Sequence, residues 1–233
     1  MSGFGLFCFD SSAGGPDGKK ESSCFAPMMC EDGSSDVADN SKRLKLKHGA
    51  IMKILVVGDT GVGKSAVANS FVNIQNKRPP STPRKSDASR SQTPKVDFLH
   101  ANVERQGYKL HVIFHDFAGA DAHPDEFPAE LEPYVTAAVG AIVVTDATAF
   151  KSSSLKKWKD LIDRLNPVPT VLVTNKCDLV DQEFLNEHNF DEQMDAFCRE
   201  QGILKWSATS AATSEGVNKI FYYLLDRIVD MYS

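Results

Sequence analysis

Cysteine is scarce and irregularly placed in this chain. Cys8, Cys24, Cys30, Cys177 and Cys198 are odd in number and no two form a CxxC pair. That argues against a disulfide framework and gives no zinc signature. Long apolar runs are missing too: none approaches the roughly 18 residues a membrane span needs. The first residues lack a basic stretch leading into an apolar one, so no secretory signal is expected. Nor is basic charge in excess. A formal net charge of −5 excludes bulk electrostatic binding to nucleic acid or anionic lipid and leaves only local basic patches. No internal repeat is visible. What remains fits a reducing, cytoplasmic setting. With 42% hydrophobic and 24% charged residues over 233 positions, the chain can bury the core of one α/β domain and carry extra segments.

Residues 1–48 are rich in Ser, Gly, Asp and Lys without sustained periodicity, and a disordered N-terminal extension is expected there. The basic run Lys42-Arg43-Leu44-Lys45-Leu46-Lys47 closes it, most simply as a solvated lead-in. From residue 49 to 233 strands and helices alternate. Ile51 to Val57 is an apolar run ended by Gly58, the pattern of a strand buried on both faces. Helical spacing follows from Lys64 to Val72. Residues 75–95 break the pattern with four prolines, six Lys or Arg and one acid, Asp87, and predict a long basic loop. Phe98 to Glu104 and Lys109 to His115 alternate around Gln106-Gly107, a hairpin signal. Ala141 to Val144 and Thr170 to Thr174 are further buried-strand candidates. Leu155, Trp158, Leu161, Ile162 and Leu165 recur at helical spacing between them, and two more amphipathic helices are expected over 191–201 and 217–231. The alternation predicts a mostly parallel sheet with helices on both faces and one antiparallel edge pair.

Gly58-Asp59-Thr60-Gly61-Val62-Gly63-Lys64-Ser65 fits G-x-x-x-x-G-K-[ST] between a buried strand and a helix. The glycines let the backbone fold tightly, so that successive N–H groups point at phosphate oxygens. Lys64 is expected to reach the β- and γ-phosphates, the Ser65 hydroxyl to ligate Mg²⁺, and the helix opening through Ala66 to add its positive dipole end.

Such a loop does not choose the base. Thr174-Asn175-Lys176-Cys177-Asp178 follows a predicted buried strand and fits N-K-x-D, at the carboxyl end of a strand where ligands of open α/β sheets sit. Guanine presents N1–H and an exocyclic amine side by side, and the Asp178 carboxylate can accept from both. Adenine has a bare acceptor at N1, which would leave that acid unpaired at a cost of a few kcal/mol. Asn175 and the stem of Lys176 are expected to pack about the base and brace the phosphate loop. The ligand read from these residues is GTP or GDP with Mg²⁺.

From Lys53 onward the chain resembles a Ras-superfamily small GTPase, Rab-like in character. Thr209-Ser210-Ala211 looks like the late S-A loop, whose backbone N–H groups contact the guanine oxygen. Asp116-Phe117-Ala118-Gly119 is similar to D-x-x-G, which implies Asp116 holding Mg²⁺ through water and the Gly119 N–H available to a γ-phosphate. Thr93-Pro94-Lys95-Val96-Asp97-Phe98 is similar to the T-I-G-V-D-F stretch of Rab proteins, making Thr93 the hydroxyl that completes Mg²⁺ coordination. Thr82, the other candidate, lacks that context. The stretches at Met194 to Cys198 and Gly202 to Trp206 resemble Rabs of lysosome-related organelles. The resemblance implies a P-loop NTPase fold of three α/β/α layers, a six-stranded mostly parallel sheet with one antiparallel edge strand, and a G domain over 49–233 with a switch I insertion at 75–95. It also implies a GTP/GDP switch in membrane trafficking, read by effector and regulator proteins, with peripheral association to an intracellular membrane and no nucleic acid.

Three positions depart from the family pattern. Ala120 stands where Ras-type proteins usually carry the glutamine that orients the attacking water, so weak hydrolysis is expected. Asp121 and His123 are the nearby polar residues, and no local pattern supports either as a substitute. The segment ahead of Thr93 is long and basic, and Ser81-Thr82-Pro83 and Thr93-Pro94 fit proline-directed phosphorylation. The sequence ends Asp230-Met231-Tyr232-Ser233 without the cysteines on which Rabs are prenylated, and position 2 is Ser2 rather than the glycine of a myristoylation signal. Phe4, Leu6, Phe7, Cys8 and Phe9 are a candidate acylated or inserted anchor, against the simpler reading of Cys8 as a free thiol in a disordered tail. The rival to a switch is a non-hydrolysing GTP-bound scaffold, favoured by Ala120. An ATP-using kinase is disfavoured by Asn175 to Asp178.

Overall fold

The computed structural model describes residues 46–77, 96–117, 124–180 and 190–233. Strand β1 (Ile51–Val57) sends Met52, Ile54 and Val56 into one buried cluster and Leu55 and Val57 into another. That division by parity is the period-2 geometry of a strand covered on both sides. Strands β2 (Val96–Arg105) and β3 (Tyr108–Phe117) form the expected hairpin. Gln106 and Gly107 at its turn have φ of 48° and 82°, the left-handed pair that a two-residue turn between right-twisted strands requires. With β4 (Gly140–Asp146), β5 (Thr170–Asn175) and β6 (Lys205–Thr209) the sheet runs β2-β3-β1-β4-β5-β6. Every neighbouring pair is parallel except β2 with β3. The antiparallel strand is therefore at the edge, as expected.

Among the described residues, five helices cover the sheet: α1 (Lys64–Gln75), α2 (Glu132–Thr136), α3 (Ser152–Leu165), α4 (Phe190–Glu200) and α5 (Val217–Tyr232). On one face Phe71 of α1 stacks on Phe221 of α5 at 4.5 Å, and Phe114 of β3 meets both rings. On the other, Leu155, Trp158, Leu161 and Ile162 of α3 pack with Val135 of α2, Met194 and Cys198 of α4, and the odd-numbered face of β1. The result is an α/β/α sandwich of the P-loop NTPase type.

Three features were not placed from the sequence. β6 lies at the far edge, where Lys205, Trp206 and Ser207 are exposed or half-covered and show no alternation. Two short 3-10 turns (Pro124–Glu126, Ala129–Leu131) and α2 run through Pro124, Pro128 and Pro133, which break helical periodicity. Leu46, within the basic run, is buried, and its N–H donates to Tyr232 O at 2.7 Å. The packed part of the described residues thus includes Leu46. No helix among the described residues is long and apolar enough to cross a membrane.

Candidate nucleotide site

Because five of the six strands are parallel, the carboxyl ends of β3, β1, β4, β5 and β6 open on the same edge of the sheet. The loop from Gly58 to Gly63 leaves β1 there and enters α1. A Cβ on Gly58, whose φ is 144°, would lie 2.1 Å from Val144 O, and one on Gly63, with φ 94°, would lie 2.3 Å from Asn175 Nδ2. Only glycine fits either place. Gly63 gives α1 no side-chain cap, and no acid occupies the first turn, so the amides of the first turn remain available to an anion.

Lys64 is buried and donates from Nζ to Gly58 O at 2.9 Å and Asp59 O at 2.7 Å, closing the loop around its own ammonium. Burial lowers its pKa, while Asp116 and Asp59 act in the opposite direction. Asp116, at the end of β3, is buried as well; Ser65 is hydrogen-bonded to it, yet its Oδ1 has no partner. Its pKa is raised chiefly by burial, and Asp97, which faces it across the β2–β3 ladder, adds to that; Ser65 and Lys64 oppose both.

Asn175 ties three segments together. Its Nδ2 donates to Val62 O at 3.0 Å, and its Oδ1 accepts from Ala211 N at 3.1 Å and from Thr209 Oγ1 at 3.4 Å. The phosphate loop, the end of β5 and the end of β6 are therefore one hydrogen-bonded unit. Lys176, with φ 67°, pairs through Nζ with Asp146 Oδ2 at the end of β4. Asp146 has a lowered pKa: its modest burial raises it, but the bonds from Lys176 and Thr148 outweigh that. Asp178 is exposed on the 3-10 turn Cys177–Leu179. Ser210 is buried, its N–H bonded to Glu215 O and its Oγ accepting from Thr213 N at 3.2 Å.

Among the residues expected in the site, Asp59, Thr60, Gly61, Val62, Gly63, Lys64, Ser65, Ala66, Asp116, Asn175, Lys176, Asp178, Ser210 and Ala211 lie along these converging strand ends. Thr93, Gly119 and Ala120 lie outside the described residues, as do Thr82, Asp121 and His123. Sequence reasoning missed three others. Ser154 Oγ and Trp158 Nε1 both donate to Asp59 Oδ1, the latter at 3.0 Å, strapping the phosphate loop to α3. Asp146 anchors Lys176. These partners sit 30 to 99 positions from the residues they hold, and no local spacing signals such contacts.

Comparison with known proteins agrees with this geometry. The model of the Ras family matches residues 53–230. The Ras-related protein Rab-32A of Dictyostelium discoideum is 31% identical over 189 residues, which cover 77% of this chain and 78% of that protein. The human Ras-related protein Rab-32 is 27% identical over 187 residues, covering 77% and 75%. The Ras-related protein RABD2c of Arabidopsis thaliana is 32% identical over 178 residues, covering 75% and 79%. Matched across most of its length to one family and its Rab members, the chain belongs to the Ras family as a Rab-like small GTPase, a guanine-nucleotide-binding switch protein.

Proposed function

We propose that residues 58–66 hold the phosphates of GTP or GDP, that Asp178 selects guanine, and that Ser65, Asp116 and Thr93 hold Mg²⁺. The observation that carries this reading is an unbalanced one. A buried carboxylate oxygen without a partner, a buried ammonium and the uncapped start of α1 converge on the same strand ends. Such groups cost stability until an anion and a cation satisfy them. The residues present therefore fit the metal as well as the nucleotide. When bound, Mg²⁺ supplies charge neutralisation to the phosphate oxygens. Lys64 contributes a second positive charge to the same end of the ligand, and Asn175 keeps the phosphate loop and the Ser210-Ala211 turn in fixed relation. Gly119 is assigned to the γ-phosphate, and Ala120 makes hydrolysis slow.

The cellular reading is a switch in intracellular membrane trafficking, recognised by effector and regulator proteins and attached peripherally to a membrane. The basic insertion 75–95 is its candidate added surface for a partner, a membrane or phosphorylation. A GTP-bound scaffold is the second reading, favoured by Ala120. Extracting and identifying the nucleotide carried by the purified chain, then following its γ-phosphate over hours, tests the biochemical core. Guanine nucleotide with slow or absent turnover is expected, and Lys64→Ala should weaken its retention at least about tenfold. Equal competition by adenine nucleotides would overturn the assignment. Partners captured equally by GDP- and GTP-loaded protein would favour the scaffold over the switch.

A further inference from the structure

We propose that His100 and His111 form a two-imidazole chelate for a divalent transition ion of the zinc and copper group, on the outer face of the β2–β3 hairpin. In the antiparallel register His111 lies opposite Asn102, and His100 opposite Ile113. The two histidines are diagonal neighbours on the face turned away from the buried Ala101, Val103, Leu110 and Val112. His100 is exposed and His111 half-buried. His111 Nδ1 lies 2.9 Å from Asn102 Oδ1, and since an amide oxygen only accepts, that nitrogen carries the proton. The lone pair of His111 is thereby fixed on Nε2, which lies 3.2 Å from His100 Nδ1. A ring nitrogen pinned by a bond from the opposite ring nitrogen is the usual arrangement of a metal-binding histidine.

The spacing fits the ion. With metal–nitrogen bonds of about 2.0–2.1 Å, two donors on one tetrahedral or tetragonal centre stand about 2.9–3.4 Å apart. Without metal, the pair shares a proton, His100 Nδ1–H donating to His111 Nε2. On binding, that proton passes through solvent to His100 Nε2, the two facing lone pairs take the ion, and no net proton is released. Both ligands stand on paired strands whose tip is tied to α5 by Arg105 with Asp226 and by Gln106 Nε2 to Asp230 Oδ1 at 2.9 Å. Little rearrangement is therefore needed. Imidazole without carboxylate selects zinc, nickel or copper over magnesium and calcium, so this site does not compete for the Mg²⁺ assigned to Ser65 and Asp116. Among the described residues no third His, Cys, Asp or Glu joins the pair, and water completes the coordination. Lys53, opposite Ile113 on β1, adds a positive charge that moderates the affinity.

The test uses the whole chain, treated with chelator and then saturated with GDP and Mg²⁺, and titrated with zinc chloride. Nitrogen-15 imidazole spectra of the unaltered chain should show zinc shifting His100 Nδ1 and His111 Nε2. In calorimetry His100→Ala and His111→Ala should each weaken one zinc-binding event at least about tenfold, with GDP retention unchanged. Zinc titrations identical in the double variant, or those two imidazoles unmoved while other groups take up zinc, would overturn the proposal.

Discussion

Two single side chains, Ala120 and His115, each carry a testable consequence. Water positioning in this family depends on an amide side chain that alanine cannot imitate. Ala120→Gln is therefore expected to raise single-turnover GTP cleavage by about tenfold or more, with little change in nucleotide affinity. An unchanged rate would rule out Ala120 as a limit on hydrolysis. His115 bears on acid stability. It is buried between Phe98 and Tyr134, edge-on to both rings, with Nδ1 unpartnered, and its pKa is lowered to about 4 by burial and then by Lys53. The unfolded chain, with an ordinary imidazole, binds its proton first as pH falls. The stability contributed by neutral His115 is thus present above about pH 6.5 and is lost as pH falls through the folded value, a change of about 3 kcal/mol. His115→Phe should flatten the decline in melting temperature between pH 7 and pH 4; an unaltered slope would place the acid sensitivity in other groups.

At the scale of elements, β4 and α5 meet closely at Gly140. A Cβ on Gly140 would meet Ile228 Cδ1 at 2.7 Å and Ile54 Cδ1 at 3.2 Å. Two flexible methyl ends can shift for one added carbon, but not for a branched side chain. Gly140→Val should cost about 1–3 kcal/mol in urea unfolding, with Gly140→Ala well below that; equal costs would mean the strand itself, not the helix contact, is what suffers. Elements with strong period were the ones legible in advance. Ile51 to Val57 announced itself by an apolar run that only Lys53 interrupts, and the hairpin by alternation on either side of Gln106-Gly107. β6 stayed hidden because Lys205, Trp206 and Ser207 are all exposed or half-covered at the sheet edge, so neither face is buried enough to impose alternation. α2 stayed hidden because Pro124, Pro128 and Pro133 interrupt the spacing that reports a helix. The phosphate and N-K-x-D segments were legible because each must be contiguous to shape a loop. Ser154, Trp158 and Asp146 were not, since they act by meeting residues far away in the chain.

The molecule as a whole behaves as two helical layers clasping one sheet, and the strand ends are joined by a small number of side chains. Asn175 is the chief of these, linking Val62, Thr209 and Ala211. Asn175→Ala removes three partners at once and leaves buried backbone groups unsatisfied, at about 1–3 kcal/mol each before relaxation. Melting temperature of the nucleotide-free chain and nucleotide residence time should fall together. A faster off-rate with unchanged melting temperature would show that Asn175 serves the ligand alone.

Trp158 adds a practical consequence. Its indole N–H rests on Asp59 in the phosphate loop, while Trp206, the second of the chain's two tryptophans, is bonded to Asp195 at the far edge of the sheet. In a Trp206→Phe chain, tryptophan emission would come only from beside that loop. Loading and release of unlabelled GDP could then be timed from the protein's own fluorescence.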